Sequence, residues 1–300
     1  MSSNKKVILI IGIEGFVGKN LTSKFESCNY DIYGTSLTKE SEKVFRCDIR
    51  NKNDLIRVFK KIKPNYIFHL AGVSSPAHSK KKEIYEINTL GVINLMEAIL
   101  AAELNPEKIL ISSSASVYGN QTKGVYDETL TCDPVDDYGM SKFLLEEIVK
   151  NYFLKLNIIL IRPFNIIGIG QSDDFVVQKI VSHFKNKKKV IELGNIEVER
   201  EFNDIEYACE SLKRLALSEH CCLIVNLASG RTISIKHILE EMQDISGYII
   251  KVKTNQSLIR KDEIWRLSGS SAKLIRLIGT IEQKPLKETL NDMYLYNSNS

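Results

Sequence analysis

The chain runs Val7-Ile8-Leu9-Ile10-Ile11 straight into Gly12-Ile13-Glu14-Gly15-Phe16-Val17-Gly18, and this junction constrains the fold more than any other stretch. An aliphatic, mostly β-branched run without polar alternation suits a strand covered on both faces, as in a parallel sheet. The glycines then open a helical pattern that extends through Ser27. Strand, glycine turn and helix are the setting in which backbone N–H groups at a helix N-terminus cradle a pyrophosphate. Gly12 allows a tight turn, Gly15 lets the phosphate approach, and Gly18 lets the helix pack closely on the strand. Phe16 and Val17 complete the candidate dinucleotide-binding segment. The spacing is G-x-x-G-x-x-G, and Glu14 places an acid in the loop, so its side chain is expected to point away from phosphate.

The same alternation repeats. Asp31–Thr35, Val44–Cys47, Tyr66–Leu70, Ile109–Ser112 and Ile158–Arg162 read as strands, with helices at Asn51–Ile62, Glu83–Glu103 and Tyr138–Leu156 between them. Such alternation predicts an α/β fold with a doubly wound parallel sheet. Residues 1–164 and 202–230 are expected to form the dinucleotide-binding domain, with Ile224–Leu227 returning to the sheet. Residues 165–201 and 231–300 are expected to form a smaller C-terminal α/β domain for substrate. Its helices are placed at Phe175–Phe184, Ile235–Ser246 and Pro285–Tyr294, with a strand pair flanking Gly194-Asn195. Ligands of such folds sit in the crevice at the carboxyl ends of the strands.

That rule directs attention to the strand exits. NAD-selective chains carry an acid after the second strand to bind the adenine ribose. Here Thr35, Ser36, Leu37, Thr38 and Lys39 follow, with no carboxylate before Glu40. Thr35, Ser36 and Lys39 would suit a ribose 2′-phosphate, which favours NADP(H) over NAD(H). Asp48, followed by Ile49, could bond the adenine amino group or cap the next helix. Leu70-Ala71-Gly72 offers small residues over which a cofactor can pass. Asn88 is the polar exception in an otherwise apolar helix. His69, inside a strand, reads as core, and His78 has no convincing catalytic setting.

Chemistry concentrates in Ser112-Ser113-Ser114-Ala115-Ser116-Val117-Tyr118-Gly119 and Tyr138-Gly139-Met140-Ser141-Lys142. Residues at i and i+4 share a helix face, roughly 6 Å apart along the axis. A phenol and an ammonium side by side, with Ser114 delivered from a strand end, suit proton transfer coupled to hydride transfer. Tyr138 would exchange the proton, Lys142 would favour its phenolate, and Ser114 would hydrogen-bond the reacting oxygen.

Composition excludes several other classes. The 41 basic and 37 acidic residues give no electrostatic footprint for nucleic acid. The six cysteines show no C-x-x-C spacing, so no metal site is expected. No apolar run approaches the roughly 20 residues of a membrane span, and the polar N-terminus does not read as a signal peptide. A cytoplasmic location is the expectation.

Together these motifs resemble the extended short-chain dehydrogenases, the NAD-dependent epimerase/dehydratase family acting on nucleotide sugars. Gly12, Gly15 and Gly18 match its glycine motif, Ser114 its catalytic Ser/Thr, and Tyr138 with Lys142 its YxxxK pair. The resemblance implies a Rossmann-type sheet and spans residues 5 to 295. The runs Phe164–Ser172, Gly194–Asp204 and Leu258–Ile264 look most like those of the GDP-4-keto-6-deoxymannose reductases, with Lys261-Asp262 replacing the usual residues between Arg260 and Glu263. It implies that Arg200 and Arg260 bind a sugar-nucleotide diphosphate, with Ser74, Ser114, Asn165, Gln171, Asn195 and Glu263 also facing the substrate, and Pro163 facing the cofactor. It further implies a homodimer through a four-helix bundle. The Ser114–Gly119 stretch looks closer to the UDP-sugar 4-epimerases. Ser114-Ala115-Ser116 lacks the acids that drive dehydration in the family's dehydratases. The leading expectation is a reductase of a nucleotide-linked 4-keto sugar; a 4-epimerase with retained NAD is the alternative, and an inactive sugar-nucleotide-binding protein a remote third.

Overall fold

A computed structural model describes residues 5–26, 29–74, 80–121, 124–259 and 265–296. The chain begins with β1 (Lys6–Ile11), the glycine turn and α1 (Phe16–Glu26), followed by β2 (Tyr30–Ser36) and β3 (Val44–Arg46). Then come α2 (Lys52–Ile62) and β4 (Tyr66–His69). Asn51, not Asp48, caps α2 by accepting from the Asn53 N–H, and Lys63 ends it in a left-handed conformation just before Pro64. Next, α3 (Lys81–Tyr85), a π-turn (Glu86–Leu90) and α4 (Gly91–Ala101) form one continuous helix.

β5 (Lys108–Ser112), α5 (Asp137–Lys150) and β6 (Ile158–Pro163) complete the first half. The helix from Tyr138 therefore stops at Lys150, short of the expected Leu156: turns at Asn151–Leu156 swing Leu156 into the core. Beyond it lie β7 (Ile166–Ile167), α6 (Val176–Lys185), β8 (Val190–Leu193), β9 (Glu199–Glu201), β10 (Asn203–Asp204), α7 (Ile205–Leu217) and β11 (Leu223–Leu227). The chain ends with β12 (Thr232–Ser234), α8 (Ile235–Ser246), β13 (Lys251–Thr254), β14 (Arg266–Leu267), α9 (Ala272–Ile278) and α10 (Leu286–Leu295).

The seven-stranded sheet has the order β3-β2-β1-β4-β5-β6-β11, and every pairing is parallel. This is the doubly wound order, with its topological switch between β1 and β4. One face buries Leu9, Ile11, Ile109 and Ile111 against α2, α4 and α5. The other buries Ile8, Ile10, Phe68 and Leu110 against α1, α7 and Leu274 of α9. Both faces being covered explains why these strands are apolar throughout rather than alternating. By length and composition, the helix Lys81–Ala101 could cross a membrane. Here Ile84, Val92, Leu95, Met96, Ala98 and Ile99 are buried, as in a core helix.

A separate core joins α6, α8, α10 and β8 through Val177, Ile180, Phe184, Ile191, Leu239, Met242 and Leu290. The strands expected around Gly194-Asn195 exist but do not pair with each other. β8 pairs in parallel with β13, and β9 lies between β12 and β14. Gly194 packs against the Leu258 carbonyl, where a Cβ would lie 2.8 Å away, so this segment is held by a distant part of the chain.

Candidate active site

Ser113 continues the sheet by donating its N–H to the Ile161 carbonyl at 2.7 Å. Ser114 then caps a short 3-10 turn, Ala115–Tyr118, its Oγ accepting the Ser116 N–H at 3.1 Å. Asp136 opens α5 by accepting the Gly139 N–H at 2.7 Å. A Cβ on Gly139 would lie 2.6 Å from the Ser116 carbonyl, so the glycine after Tyr138 lets α5 abut the serine stretch. The Tyr138 hydroxyl thereby hydrogen-bonds Ser114. One turn further on, Lys142 Nζ donates to the Ser112 carbonyl at 2.8 Å. Ser114, Tyr138 and Lys142 are all buried.

Burial pushes the Tyr138 phenol above its ordinary range, while the Ser114 hydrogen bond opposes that shift. Burial also brings the Lys142 ammonium down to about 8; the Glu146 carboxylate pulls the other way. Lys142 therefore remains largely protonated at pH 7, without a neutralising carboxylate of its own. The neighbouring Glu146 is fully committed: it accepts from Arg162 at 2.9 and 2.6 Å and from Ser113 Oγ at 2.5 Å.

The π-turn brings Asn88 into this cluster. Its Oδ1 accepts the Val73 N–H at 2.9 Å, and its Nδ2 donates to the Val73 carbonyl at 3.2 Å and to Ser141 Oγ at 3.0 Å. Ser141 Oγ donates in turn to the Tyr138 carbonyl at 2.7 Å. A wide helical turn at a functional cluster is a recurrent use of π geometry. Gly72 lies directly over Asn88 and Lys142: a Cβ there would meet Asn88 Oδ1 at 2.8 Å and Lys142 Nζ at 3.4 Å. The exit of β4, which carries Leu70, Ala71 and Gly72, therefore runs beside the candidate catalytic residues.

The glycine turn stands across the topological switch. Gly12 has φ +89°, and a Cβ would lie 2.8 Å from the Ala71 nitrogen. A Cβ on Gly18 would lie 2.4 Å from the Gly12 carbonyl, and one on Gly15 3.2 Å from it. Only glycines give this close turn, and it leads directly into the start of α1, where the N–H groups of Phe16 and Val17 have no intrahelical acceptor. A dinucleotide pyrophosphate fits such a cradle.

The expected 2′-phosphate receptors are arranged differently. Thr35 is buried, and its Oγ1 accepts the Gly12 N–H at 3.4 Å, so it supports the loop from beneath. Ser36 Oγ donates to Glu14 Oε2, and Lys39 Nζ pairs with Glu14 Oε1 at 2.6 Å. All three groups are thus engaged with other residues of the chain. The Glu14 side chain thus turns toward the end of β2, onto Ser36 and Lys39. Asp48 is held by Arg50, with Nη2–Oδ2 at 2.6 Å, and that guanidinium keeps its carboxyl below the usual range. Ile49 is buried and packs on Gly91 of α4.

Among the expected substrate residues, Ser74 and Asn165 are exposed, Asn165 Nδ2 donating to the Glu201 carbonyl at 2.9 Å. Gln171 donates to the Ile166 carbonyl at 2.6 Å, and its buried Oε1 has no partner among the described residues. Asn195 forms a local turn by accepting the Glu197 N–H at 3.0 Å. Arg200 Nη1 donates to the Glu199 carbonyl at 2.8 Å. Pro163 ends β6 at the sheet's carboxyl edge. Arg260, Glu263 and His78 lie outside the described residues. His69 is core, as expected, and burial followed by the Lys142 charge lowers its pKa to about 3.

Sequence reading missed Ser141, the Ser113–Glu146–Arg162 cluster and the partners of Glu14. Glu146 stands four residues beyond Lys142, on the same helix face, a spacing that could have drawn attention to it.

Residues 8–220 match the sequence model of the NAD dependent epimerase/dehydratase family. The chain is 31% identical over 289 residues to the GDP-6-deoxy-D-talose 4-dehydrogenase of Aggregatibacter actinomycetemcomitans, covering 96% of each. It is 26% identical over 294 residues to the GDP-6-deoxy-D-mannose reductase of Pseudomonas aeruginosa, covering 94% of each. Its fold matches the structure of RMD from Pseudomonas aeruginosa complexed with NADPH, with a TM-score of 0.85 at 24% identity, over 97% of this chain and 98% of that one.

Proposed function

This chain belongs to the NAD-dependent epimerase/dehydratase family, a family of NAD(P)-dependent enzymes of nucleotide sugars, and within it we propose that the protein reduces the 4-keto group of a GDP-linked deoxysugar. The observation that carries this reading is Tyr138, hydrogen-bonded to Ser114 and one helical turn from the buried Lys142, whose ammonium donates to the Ser112 carbonyl. Two relatives that align along nearly the whole chain are named for GDP-6-deoxyhexoses, one as a 4-dehydrogenase and one as a reductase.

Gly12, Gly15, Phe16, Val17 and Gly18 would hold the cofactor pyrophosphate, and Gly72, Asn88, Tyr138 and Lys142 its nicotinamide half. The bound nicotinamide supplies or accepts hydride. Tyr138 gives its phenolic proton to the sugar oxygen, and the Lys142 ammonium stabilises the phenolate left behind. Ser114 donates a hydrogen bond to the same oxygen, where charge grows in the transition state. Asn88 and Ser141 fix the start of α5, and with it the aim of Tyr138. Arg200 and Arg260 would take the diphosphate, for which guanidinium forks are suited. Asn165, Gln171, Asn195, Glu263 and Ser74 would contact sugar and base. Ser114-Ala115-Ser116 contains no acid for water elimination, which argues against a dehydratase.

Incubation with a GDP-4-keto-6-deoxyhexose and reduced cofactor should consume one cofactor per sugar, with a 4-hydroxyl in the product by NMR. Turnover of a 4-hydroxy sugar to its epimer without added cofactor would instead establish the epimerase reading, which the Ser114–Gly119 stretch favours. We also propose a homodimer through the helices Lys81–Ala101 and Asp137–Lys150, on which Leu90, Leu100 and Leu144 are exposed. A monomeric mass by light scattering at micromolar concentration would refute it.

A further inference from the structure

The three residues directly after β2, Leu37, Thr38 and Lys39, contain no acid, yet a carboxylate stands at that strand's end. It comes from Glu14, at the second position after the turn glycine Gly12, and it reaches across from the exit of β1. Its Oε1 lies 2.6 Å from Lys39 Nζ, and its Oε2 accepts the Ser36 hydroxyl proton. Ser36 Oγ is fully used, because it also accepts the Thr38 N–H at 3.2 Å and the Lys39 N–H at 3.1 Å. Thr35 faces inward and supports Gly12. In folds of this topology, the end of the second strand is where the adenine ribose lies.

We propose that Glu14 is the residue that selects NAD(H) over NADP(H), its carboxylate taking the ribose-binding place that the end of β2 leaves without an acid. The inference rests on reading the glycine turn as a dinucleotide site, and not on which sugar is reduced. Three consequences of the geometry point the same way. The carboxylate retains lone pairs to accept from the ribose 2′- and 3′-hydroxyls. It repels a 2′-phosphate brought to the same spot. It also occupies the groups that would attract that phosphate: Lys39 is neutralised, and Ser36 has no proton left to give. The Lys39 and Ser36 contacts hold the Glu14 carboxyl below its usual range, so it is ionised at neutral pH. Lys39 is exposed over most of its side chain, so the pair lies open to a ribose from the solvent side.

Calorimetric titration of the intact protein, without sugar, with NADH, NADPH, 5′-AMP and 2′,5′-ADP tests this directly. NADH should bind at least about tenfold more tightly than NADPH, and 5′-AMP more tightly than 2′,5′-ADP. Glu14→Gln keeps the size but loses the charge; it should reduce the NADH preference to about threefold or less, chiefly by tightening NADPH. Adding Lys39→Met to Glu14→Gln should remove that gain, because the freed ammonium is its source. A wild-type protein that prefers NADPH, or a Glu14→Gln variant with an unchanged ratio, would overturn the proposal while leaving the dinucleotide reading intact. Failure of every nucleotide to bind would overturn both.

Discussion

Two buried cations approach Glu146 from different elements, and their fates differ. Arg162, on β6, takes the carboxylate through two nitrogens at 2.9 and 2.6 Å and stacks over the Tyr118 ring at 4.8 Å. Tyr118 is anchored in turn through its hydroxyl to Asn226 Oδ1 at 2.7 Å. Lys142, on α5, donates to a single acceptor among the described residues, the Ser112 carbonyl. Burial alone would lower both, but the Glu146 carboxylate more than offsets it for Arg162, whose pKa rises, whereas Lys142 falls to about 8. A desolvated cation with a matched carboxylate holds a structure together; one left without a carboxylate costs stability, and such groups concentrate where chemistry is done. The molecule thus keeps a closed charge cluster and an open one within the same stretch of α5.

Loss of the Tyr138 hydroxyl should have the largest effect. Tyr138→Phe is expected to lower kcat/KM by about 10²–10⁴, with a melting temperature within about 2 °C of wild type. Retention of more than a tenth of the activity would remove Tyr138 from the proton-transfer step. The closed cluster should respond in the opposite sense. Arg162→Met strands a buried carboxylate, and about 3–5 kcal/mol of unfolding free energy should disappear from a urea titration. Adding Glu146→Leu should restore most of it, because the penalty lies in the unpaired charge. A loss below about 1 kcal/mol in the single variant would break the distinction between the clusters.

The difference between the clusters also explains what sequence could reveal. Val7–Ile11, Gly12, Gly18, Ser114 and the Tyr138–Lys142 spacing were legible because each expresses a local rule: a buried strand, a turn, a helix face. The doubly wound parallel sheet followed from the alternation of those strands and helices. Glu14 was read only as an acid near phosphate, because its partners Ser36 and Lys39 lie beyond the intervening helix and strand. Glu146 and Arg162 meet across two elements in the same way. The strands β9, β12 and β14 span two or three residues each, too short to show a period, and β8 finds β13 far along the chain. Leu156 continued the apolar pattern of α5 yet enters the core from a turn, so periodicity overextended that helix.

The open cluster should show its cost directly. Lys142→Met is expected to abolish turnover and yet stabilise the fold by roughly 1–3 kcal/mol at pH 7. The sign follows from the pKa, about 8 when folded against an ordinary 10.5. Between these values the unfolded chain holds more protons, so folding gains stability as pH rises through that window. Below pH 8 the penalty is fully present. The advantage of the methionine variant should therefore shrink between pH 8 and 10.5 in urea midpoints.

His69 extends the same reasoning to the acid side, with the smallest effect. It is buried on β4, its Nδ1 without a hydrogen-bond partner among the described residues, beside the Lys142 charge, and its pKa falls from 6.5 to about 3. The folded protein therefore keeps it neutral while the unfolded chain protonates it below pH 6.5. Stability from this group is complete above 6.5 and drains away toward pH 3, by at most about 1.4 kcal/mol per pH unit. Between pH 7 and 5, unfolding free energy should drop by about 1–2 kcal/mol more in wild type than in His69→Gln, which has no proton to gain. Parallel curves for the two proteins would mean that His69 titrates in the fold as it does in the unfolded chain, so that neither burial nor the Lys142 charge holds its ring neutral.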